Sequence, residues 1–577
     1  MISPQISVER GLRFRWELAR RAPADMLAEM GDFNPLLCQL LLNRGLTDRD
    51  QARRFLAAED EPLGDPLALA DMSAALARVQ IALDSGKPIA VYGDYDVDGV
   101  TATAVLCSAL SRLGAHVRPF IPNRQTDGYG LQDRTLADLR AAGVGLVVTV
   151  DCGVSAVDEI ATATAAGLDV IVTDHHTVPM ILPAAVVLNP NRPDCAYPFK
   201  DLAGVGVALK LAEALLRARL EPPEAEPAID ELLELVAIGT LADVVPLQGE
   251  NRTMVRRGLA RLNRSERPGL RALLALMRRG SAVIDAESVS FGLAPRLNAA
   301  GRLADARLAL DVLLTDDAAE AEALAEQLDA LNRRRQAQMA EALALARAEL
   351  AATELGSAIV LAGPFAIGIV GPVAGRLAHE FNRPAIVLRR DGPVCSGSAR
   401  SVAGLNVLEA MEQGAAFLDR FGGHPMAAGL SLQAANLADF ERAFQVAIAR
   451  AGRAEVPEPS LAVDAELRAL TAASRSTLTL LNRLEPFGPG NPAPIFLTRG
   501  LRVAGCQEMG GGHLRLHLIG PDTHLTAIAF GQAEAAPTPG EQVDVVYRLR
   551  RKAWRGRISP ELEVLDRRPS TSVPDGR

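Results

Sequence analysis

PIAVYGDYDVDG, residues 88–99, is the stretch on which the reading of this chain turns. Ile89–Tyr92 is a short apolar run between Pro88 and Gly93, the pattern of a buried strand. Asp94, Asp96 and Asp98 then place three carboxylates within five residues. Buried together, such groups repel one another severely unless a cation lies among them, so the choice is between a solvated acidic turn and a metal site. The spacing also fits the start of an EF-hand loop, but Val105 stands where the bidentate glutamate belongs, and a strand rather than a helix precedes the motif.

Strand and helix alternate outward from this stretch. Val117–Ile121, Leu146–Val150 and Val170–Thr173 read as further buried strands, with helical patterns near Thr101–Leu113, Gln132–Ala142 and Ser155–Ala166. That alternation predicts a parallel sheet with helices on its faces. Asp151 follows one strand, and Asp174-His175-His176 follow another. Because the carboxyl ends of parallel strands share one edge, where ligands bind, the acids and imidazoles are predicted to converge there. Asp243, in the largely apolar GTLADVVP (239–246), is either a further ligand or a simple helix cap. Carboxylates and imidazoles without thiolates favour Mn²⁺ or Mg²⁺ over structural zinc. Two such ions about 4 Å apart suit phosphoester hydrolysis.

A chain of 577 residues requires several domains. Residues 1–75 are mixed and mostly helical in pattern. The run from Asp316 to Leu350 has no glycine or proline and reads as one extended connecting helix. Ala358–Leu361, Ala385–Leu388 and Val394–Arg400 suggest a smaller α/β domain, and residues 454–459 (AEVPEP) a linker. Beyond Pro486, the runs Ile495–Leu497, Leu514–Leu518, Leu525–Phe530 and Val543–Leu549 suggest a small β-barrel of OB type. Residues 569–577 are predicted to be disordered. The fold class is therefore multidomain α/β with a C-terminal barrel.

A net charge of −9 argues against indiscriminate coating of nucleic acid but permits a cleft with local positive potential. Aromatic residues at 4% leave few stacking platforms. Six cysteines without a CxxC pair point away from zinc and disulfides and toward a cytoplasmic location. Charges within residues 1–20 do not suit a secretory leader, and no run approaches the roughly 18–20 apolar residues of a membrane span. The expectation is a soluble cytoplasmic monomer with no membrane partner.

Asp174-His175-His176 is the signature of the DHH phosphoesterases, and the segments around Asp94–Gly99, Asp151 and Asp243 resemble that superfamily's other motifs. Longer phrases, YGDYDVDGVTAT (92–103), IPNRQTDGYGL (121–131), APRLNAAGRL (294–303), GGHPMAAGLSL (422–432) and LEPFGPGNPAPIF (484–496), resemble its 5′→3′ exonucleases specific for single-stranded DNA. The resemblance implies a DHH core over 76–314, a connecting helix over 315–352, a DHHA1 domain over 353–455 and an OB-fold over 460–568. It implies two divalent ions, Mn²⁺ or Mg²⁺, held by Asp96, Asp98, Asp151, His175 and Asp243. Asp94 would serve as an outer partner, and His176 would steady the scissile phosphate or leaving oxygen. Some relatives carry a histidine where this chain has Tyr92, which implies fewer protein ligands on one metal.

Ser396–Ser401 combines small residues, hydroxyls and an arginine, a plausible phosphate cradle. Arg124, Arg296, Arg302, Ser398, Arg400 and His424 are the candidate phosphate contacts, with a grip on a terminal 5′ phosphate implied by the family. Residues 547–557 interleave six cations with two aromatics, a pattern suited to single-strand binding, with Arg550, Arg551, Lys552 and Trp554 as candidates. The resemblance further implies a role in DNA repair and recombination, with a RecQ-like helicase and a single-strand-binding protein as partners. The rival readings are a phosphodiesterase for short or cyclic oligonucleotides and a DHH-fold replication scaffold without catalysis.

Overall fold

The computed structural model describes residues 7–31, 33–124, 127–128, 130–277, 283–451, 459–521, 523–554 and 557–570, with the side chains of 553, 554 and 557 outside the description. The linker expected at 454–459 lies outside it save for residue 459. The chain divides into two compact units: Met1–Pro295, Ala309–Ala325 and Ser460–Arg577 in the first, Arg296–Leu308 and Glu326–Pro459 in the second.

The first unit opens with an antiparallel hairpin, β1 (Ser7–Arg10) and β2 (Arg15–Leu18). The sequence reading of residues 1–75 as mixed and mostly helical did not single out this hairpin, in which the alternation Arg15-Trp16-Glu17-Leu18 turns Trp16 inward to complete burial. Helices follow, among them Pro35–Asn43, whose cap Asn34 accepts the Leu36 amide at 2.9 Å.

The sheet at the heart of this unit has five parallel strands: β3 (Ile89–Gly93), β4 (Val117–Phe120), β5 (Leu146–Val150), β6 (Asp169–Thr173) and β7 (Val186–Leu188). Their order is β4-β3-β5-β6-β7. β3 and β5 are buried at every position, as expected for strands covered on both faces. The helices Val97–Arg112, Gly204–Arg219 and Pro222–Asp243 pack against one another beside it. Because β3, β5 and β6 are immediate neighbours, the segments that leave their carboxyl ends emerge side by side.

The second unit carries most of the 34-residue helix Ala318–Ala351 and a mixed sheet. Its strands are β8 (Ile359–Gly363), β9 (Ala385–Asp391), β10 (Val394–Arg400), β11 (Arg420–His424) and β12 (Ala427–Gln433), in the order β11-β12-β10-β9-β8. Only β8 and β9 run parallel, joined by a crossover that includes the helix Val370–Phe381. Ile386, Leu388, Val373, Leu377, Phe440 and Phe444 fill its core.

The remaining strands belong to the first unit: β13 (Ser460–Val463), β14 (Ala465–Glu466), β15 (Phe496–Met509), β16 (His513–Gly520), β17 (Thr523–Ala529), β18 (Gln542–Trp554) and β19 (Arg557–Pro569). β13 pairs in parallel with β2. β15 to β19 close into a barrel through the β15–β18 pairing. Strands of 13 and 14 residues are longer than the apolar runs suggested, because outward positions carry polar residues while inward ones such as Leu514, Leu516 and Leu518 are buried. Leu37, Leu40 and Leu41 of the N-terminal helix extend that core. Of the tail expected to be disordered, Pro569 ends β19 and Ser570 donates to Asp544 at 2.7 Å, so these two are ordered, while 571–577 lie outside the described residues. Among the described residues, no helix is long and apolar enough to cross a membrane.

Candidate metal centre

Asp96 caps the helix Val97–Arg112, accepting the Gly99 amide at 3.1 Å. That helix start turns Asp98 inward, where its two carboxylate oxygens accept the Gly204 and Val205 amides at 2.7 and 2.9 Å. Those donors are the first amides of the helix Gly204–Arg219, so two otherwise orphaned N–H groups hold the carboxylate in place. A Cβ on residue 204 would lie 2.5 Å from Asp151 Oδ1, which is why glycine stands there. Asp151 itself sits at φ +60°, a left-handed turn that aspartate tolerates.

Asp174 is buried and engaged on both oxygens. Oδ1 accepts the His175 and His176 amides at 2.8 and 3.1 Å and lies 2.7 Å from His176 Nδ1, while Oδ2 accepts the Val154 amide at 2.9 Å. The motif's first residue therefore orients its third. Asn189 and Asn191 add side-chain donors to the His176 and His175 carbonyls at 3.0 and 2.6 Å. His175 hydrogen-bonds the Leu202 backbone and turns Nε2 toward Asp151 Oδ1 at 3.2 Å, Asp243 Oδ2 at 3.7 Å and Asp98 Oδ2 at 3.9 Å.

Three ligand groupings result, each with donor atoms within 4.8 Å of one another: Asp94, Asp96 and Asp151; Asp98, His175 and Asp243; and Asp151, His175 and His176. All seven catalytic candidates thus come together, and Asp94 and His176 stand among the possible ligands. Tyr92 does not join them. It gives its hydroxyl to the Gly130 carbonyl at 3.0 Å and rests against Phe120.

The electrostatics are those of anions crowded without counter-charge. Burial, then Asp96, push Asp94 up to about 8 and Asp98 to about 7. Burial and Asp98 raise Asp243 to about 9, and the same two causes hold Asp151 well above the usual range. Burial, then His176, lower His175 to about 4, so it is a neutral acceptor. His176 rises to about 9 against its own burial because Asp174 bonds it. Asp151 Oδ1 and His175 Nε2 are buried with no hydrogen-bond partner. Two lone-pair donors facing each other, ringed by oxygen ligands, fit hard divalent cations.

The other candidates fall elsewhere. The Arg124 guanidinium lies 5.2 Å over the Tyr95 ring and its charge lowers Asp94, so it stands beside the centre. In the second unit, Arg400 and His424 pair with the same residue, Ala427, from either side of β12, and Ser398 lies two pairs further along, opposite Gly429. A Cβ on Gly371 would meet Arg400 Nη2 at 2.9 Å and Ser398 Oγ at 3.5 Å, so the helix Val370–Phe381 starts against this polar strip. Arg302 donates to the Gly368 carbonyl at 3.2 Å in the same neighbourhood, while Arg296 is held by Asp329 at 2.9 Å. On the barrel, Arg550 pairs with Glu287 at 2.8 Å, Arg551 with Glu485, and Lys552 with Glu561 at 2.6 Å. The Trp554 side chain lies outside the described residues.

Sequence reasoning named Asp174 within its motif but gave it no role, and it missed Gly204 and Val205. The small-residue run AGVGVA (203–208) opening an apolar helix is the signal that could have flagged the last two.

A parallel sheet whose carboxyl edge gathers these acids and a DHH triplet defines the class of DHH phosphoesterases. Residues 88–240 match the DHH family N-terminal domain, 365–450 the DHHA1 domain and 463–566 the RecJ OB domain. The chain is 36% identical over 567 residues to the single-stranded-DNA-specific exonuclease RecJ of Bacillus subtilis, covering 96% of this chain and 71% of that protein. It is 37% identical to that of Dickeya dadantii, covering 95% and 98%. The solved structure of RecJ in complex with Mn²⁺ from Thermus thermophilus aligns with a TM-score of 0.81 at 34% identity, covering 97% of this chain and 80% of that one. The chain belongs to the RecJ family.

Proposed function

We propose that this chain is a divalent-metal-dependent exonuclease that hydrolyses single-stranded DNA from the 5′ end. The observation that carries the reading is the pair of partnerless buried donors, Asp151 Oδ1 and His175 Nε2, at the meeting point of the ligand groupings. Asp94, Asp96 and Asp151 would hold one cation, and Asp98, His175 and Asp243 the other. Bound there, the two ions supply an activated water and offset charge on the phosphoryl group. His176, protonated by its bond to Asp174, is placed to give a proton to a phosphate or leaving oxygen. The amides of Gly204 and Val205 keep Asp98 from swinging away.

The strip of Ser398, Arg400 and His424 offers hydroxyl, guanidinium and imidazole donors for a terminal 5′ phosphate, which would set polarity. A RecQ-like helicase and a single-strand-binding protein, acting with the chain in the cytoplasm, would supply unwound substrate.

End-labelled single- and double-stranded DNA, digested with and without Mn²⁺ over a length series, tests the reading. Metal-dependent release of nucleotides from the 5′ end of long single strands supports it. Activity confined to short or cyclic oligonucleotides overturns it. Asp96→Ala should abolish cleavage and leave strand binding intact; a variant that cleaves normally removes the centre assigned here.

A further inference from the structure

The acids of the metal centre are held by different means. Asp98 is fixed through its carboxylate, by the Gly204 and Val205 amides. Asp243 is the last residue of the helix Pro222–Asp243, and the backbone leaves it through Val244 at φ +66°. The Val244 side chain is exposed, so its burial does not compensate for that turn. A β-branched residue stays in the left-handed region only where the chain around it is over-determined. On the far side of the turn, that determination comes from residues 246–248 and what holds them.

Those residues are pinned from two directions. From the helix Gly249–Leu262, the fully buried Asn251 donates through Nδ2 to the Pro246 carbonyl at 3.1 Å and to the Asp201 carbonyl. From the segment that opens the barrel, the Pro489 carbonyl accepts the Leu247 amide at 2.7 Å, and the Gly490 carbonyl accepts Gln248 Nε2 at 2.7 Å. The approach is close. A Cβ on Gly488 would lie 2.7 Å from Leu247 Cδ1, and one on Gly490, which sits at φ +72°, would lie 3.2 Å from Pro246 Cβ and Gln248 Cγ. The opening segment is itself cross-braced. Asn491 is fully buried; its Nδ2 donates to the Leu484 and Pro486 carbonyls at 2.7 Å each, and its Oδ1 accepts Arg44 Nε at 2.7 Å. Gly488 and Asn491 exchange backbone bonds at 3.0 and 3.1 Å, and Glu485 holds Arg551 of β18. The chain then enters β15 at Phe496. A short path of satisfied hydrogen bonds therefore runs from the barrel to the turn that carries Asp243.

We infer that the segment Leu484–Asn491 positions Asp243 for its cation, with Gln248 and Asn491 as positioning residues. The assignment rests on the two-cation reading of the centre. It makes the opening of the barrel part of what gives the centre its metal affinity, in the absence of any nucleic acid.

The test titrates Mn²⁺ into the full chain by calorimetry without nucleic acid, and records the thermal midpoint in EDTA beside it. Gln248 is exposed, and Gln248→Ala removes only its bond to Gly490. That variant should weaken one Mn²⁺-binding step about two- to fivefold, the worth of a single hydrogen bond, and leave the midpoint in EDTA within about 2 °C. Gln248→Lys, which keeps a donor there, should restore the parent affinity. Asn491→Ala should weaken the same step about tenfold, because two buried carbonyls lose their donor together; the Gln248 series decides the matter whether or not that variant folds. In an Asp243→Asn background, Gln248→Ala should have no further effect, since the ligand it positions is gone. A Gln248→Ala chain that binds Mn²⁺ like the parent, or one that loses as much affinity in the Asp243→Asn background, overturns the inference and leaves the two-cation reading standing. A parent chain that binds no Mn²⁺ overturns both.

Discussion

His175 Nε2 lies 3.2 Å from Asp151 Oδ1, and neither atom has a hydrogen-bond partner. A neutral imidazole and a carboxylate that face each other in this way are two acceptors awaiting a shared positive charge. Asp151→Asn should therefore have opposite effects on stability and activity. The metal-free protein should become more stable, because one buried like charge is removed. Hydrolysis in Mn²⁺ should fall by about 10³-fold, the loss of several kcal/mol of charge stabilisation. Thermal melting in EDTA and a Mn²⁺ titration by calorimetry check both halves.

The pH dependence of the metal-free chain follows from the raised carboxyls. Asp98, Asp94 and Asp243 stand at about 7, 8 and 9 against an ordinary 3.8. The folded state thus binds more protons than the unfolded one between these limits, and stability falls as pH rises through that window. Melting temperature in EDTA should drop between pH 5 and pH 9, and added Mn²⁺ should restore most at the alkaline end. A flat profile in EDTA would contradict the burial of these groups.

Val244 follows Asp243 at φ +66°, a conformation that a β-branched residue adopts at a cost of about 1–2 kcal/mol, and its exposed side chain gains little burial in return. Val244→Gly should raise the unfolding free energy by about 1 kcal/mol. Urea unfolding with an unchanged m-value would show it; a loss of stability would mean that the valine makes contacts the cost does not outweigh.

Arg252 is buried with its guanidinium 3.8 Å over the Phe55 ring, donating to the Phe55 and Leu484 carbonyls at 3.0 Å each. It joins the N-terminal helices, the helix Gly249–Leu262 and the segment that opens the barrel. Arg252→Met should cost about 3 kcal/mol, because several buried carbonyls lose their donor together. A change within about 0.5 kcal/mol in chemical denaturation would show that water replaces it.

What the sequence revealed was local. The strand before Asp94 is legible because Ile89–Tyr92 is continuously apolar, and the shared edge follows because parallel strands point one way. The amides that seat Asp98 come from residues 204 and 205, over a hundred positions later, and no periodicity announces such a partner. The cations at 550–552 look available in the sequence because their partners Glu287 and Glu485 are remote in it. The N-terminal hairpin was missed for the same reason: its third strand, β13, begins at Ser460.

That hairpin sets the order in which this molecule can be completed. Trp16 donates to Asp566 at 2.9 Å across 550 positions, and Arg568 reaches back to Glu9. At ~5–20 residues per second a ribosome needs roughly half a minute to two minutes to make the second partner after the first. Through that interval the newly made indole lacks this acceptor, so the innermost bond of the hairpin closes only once β19 has been made.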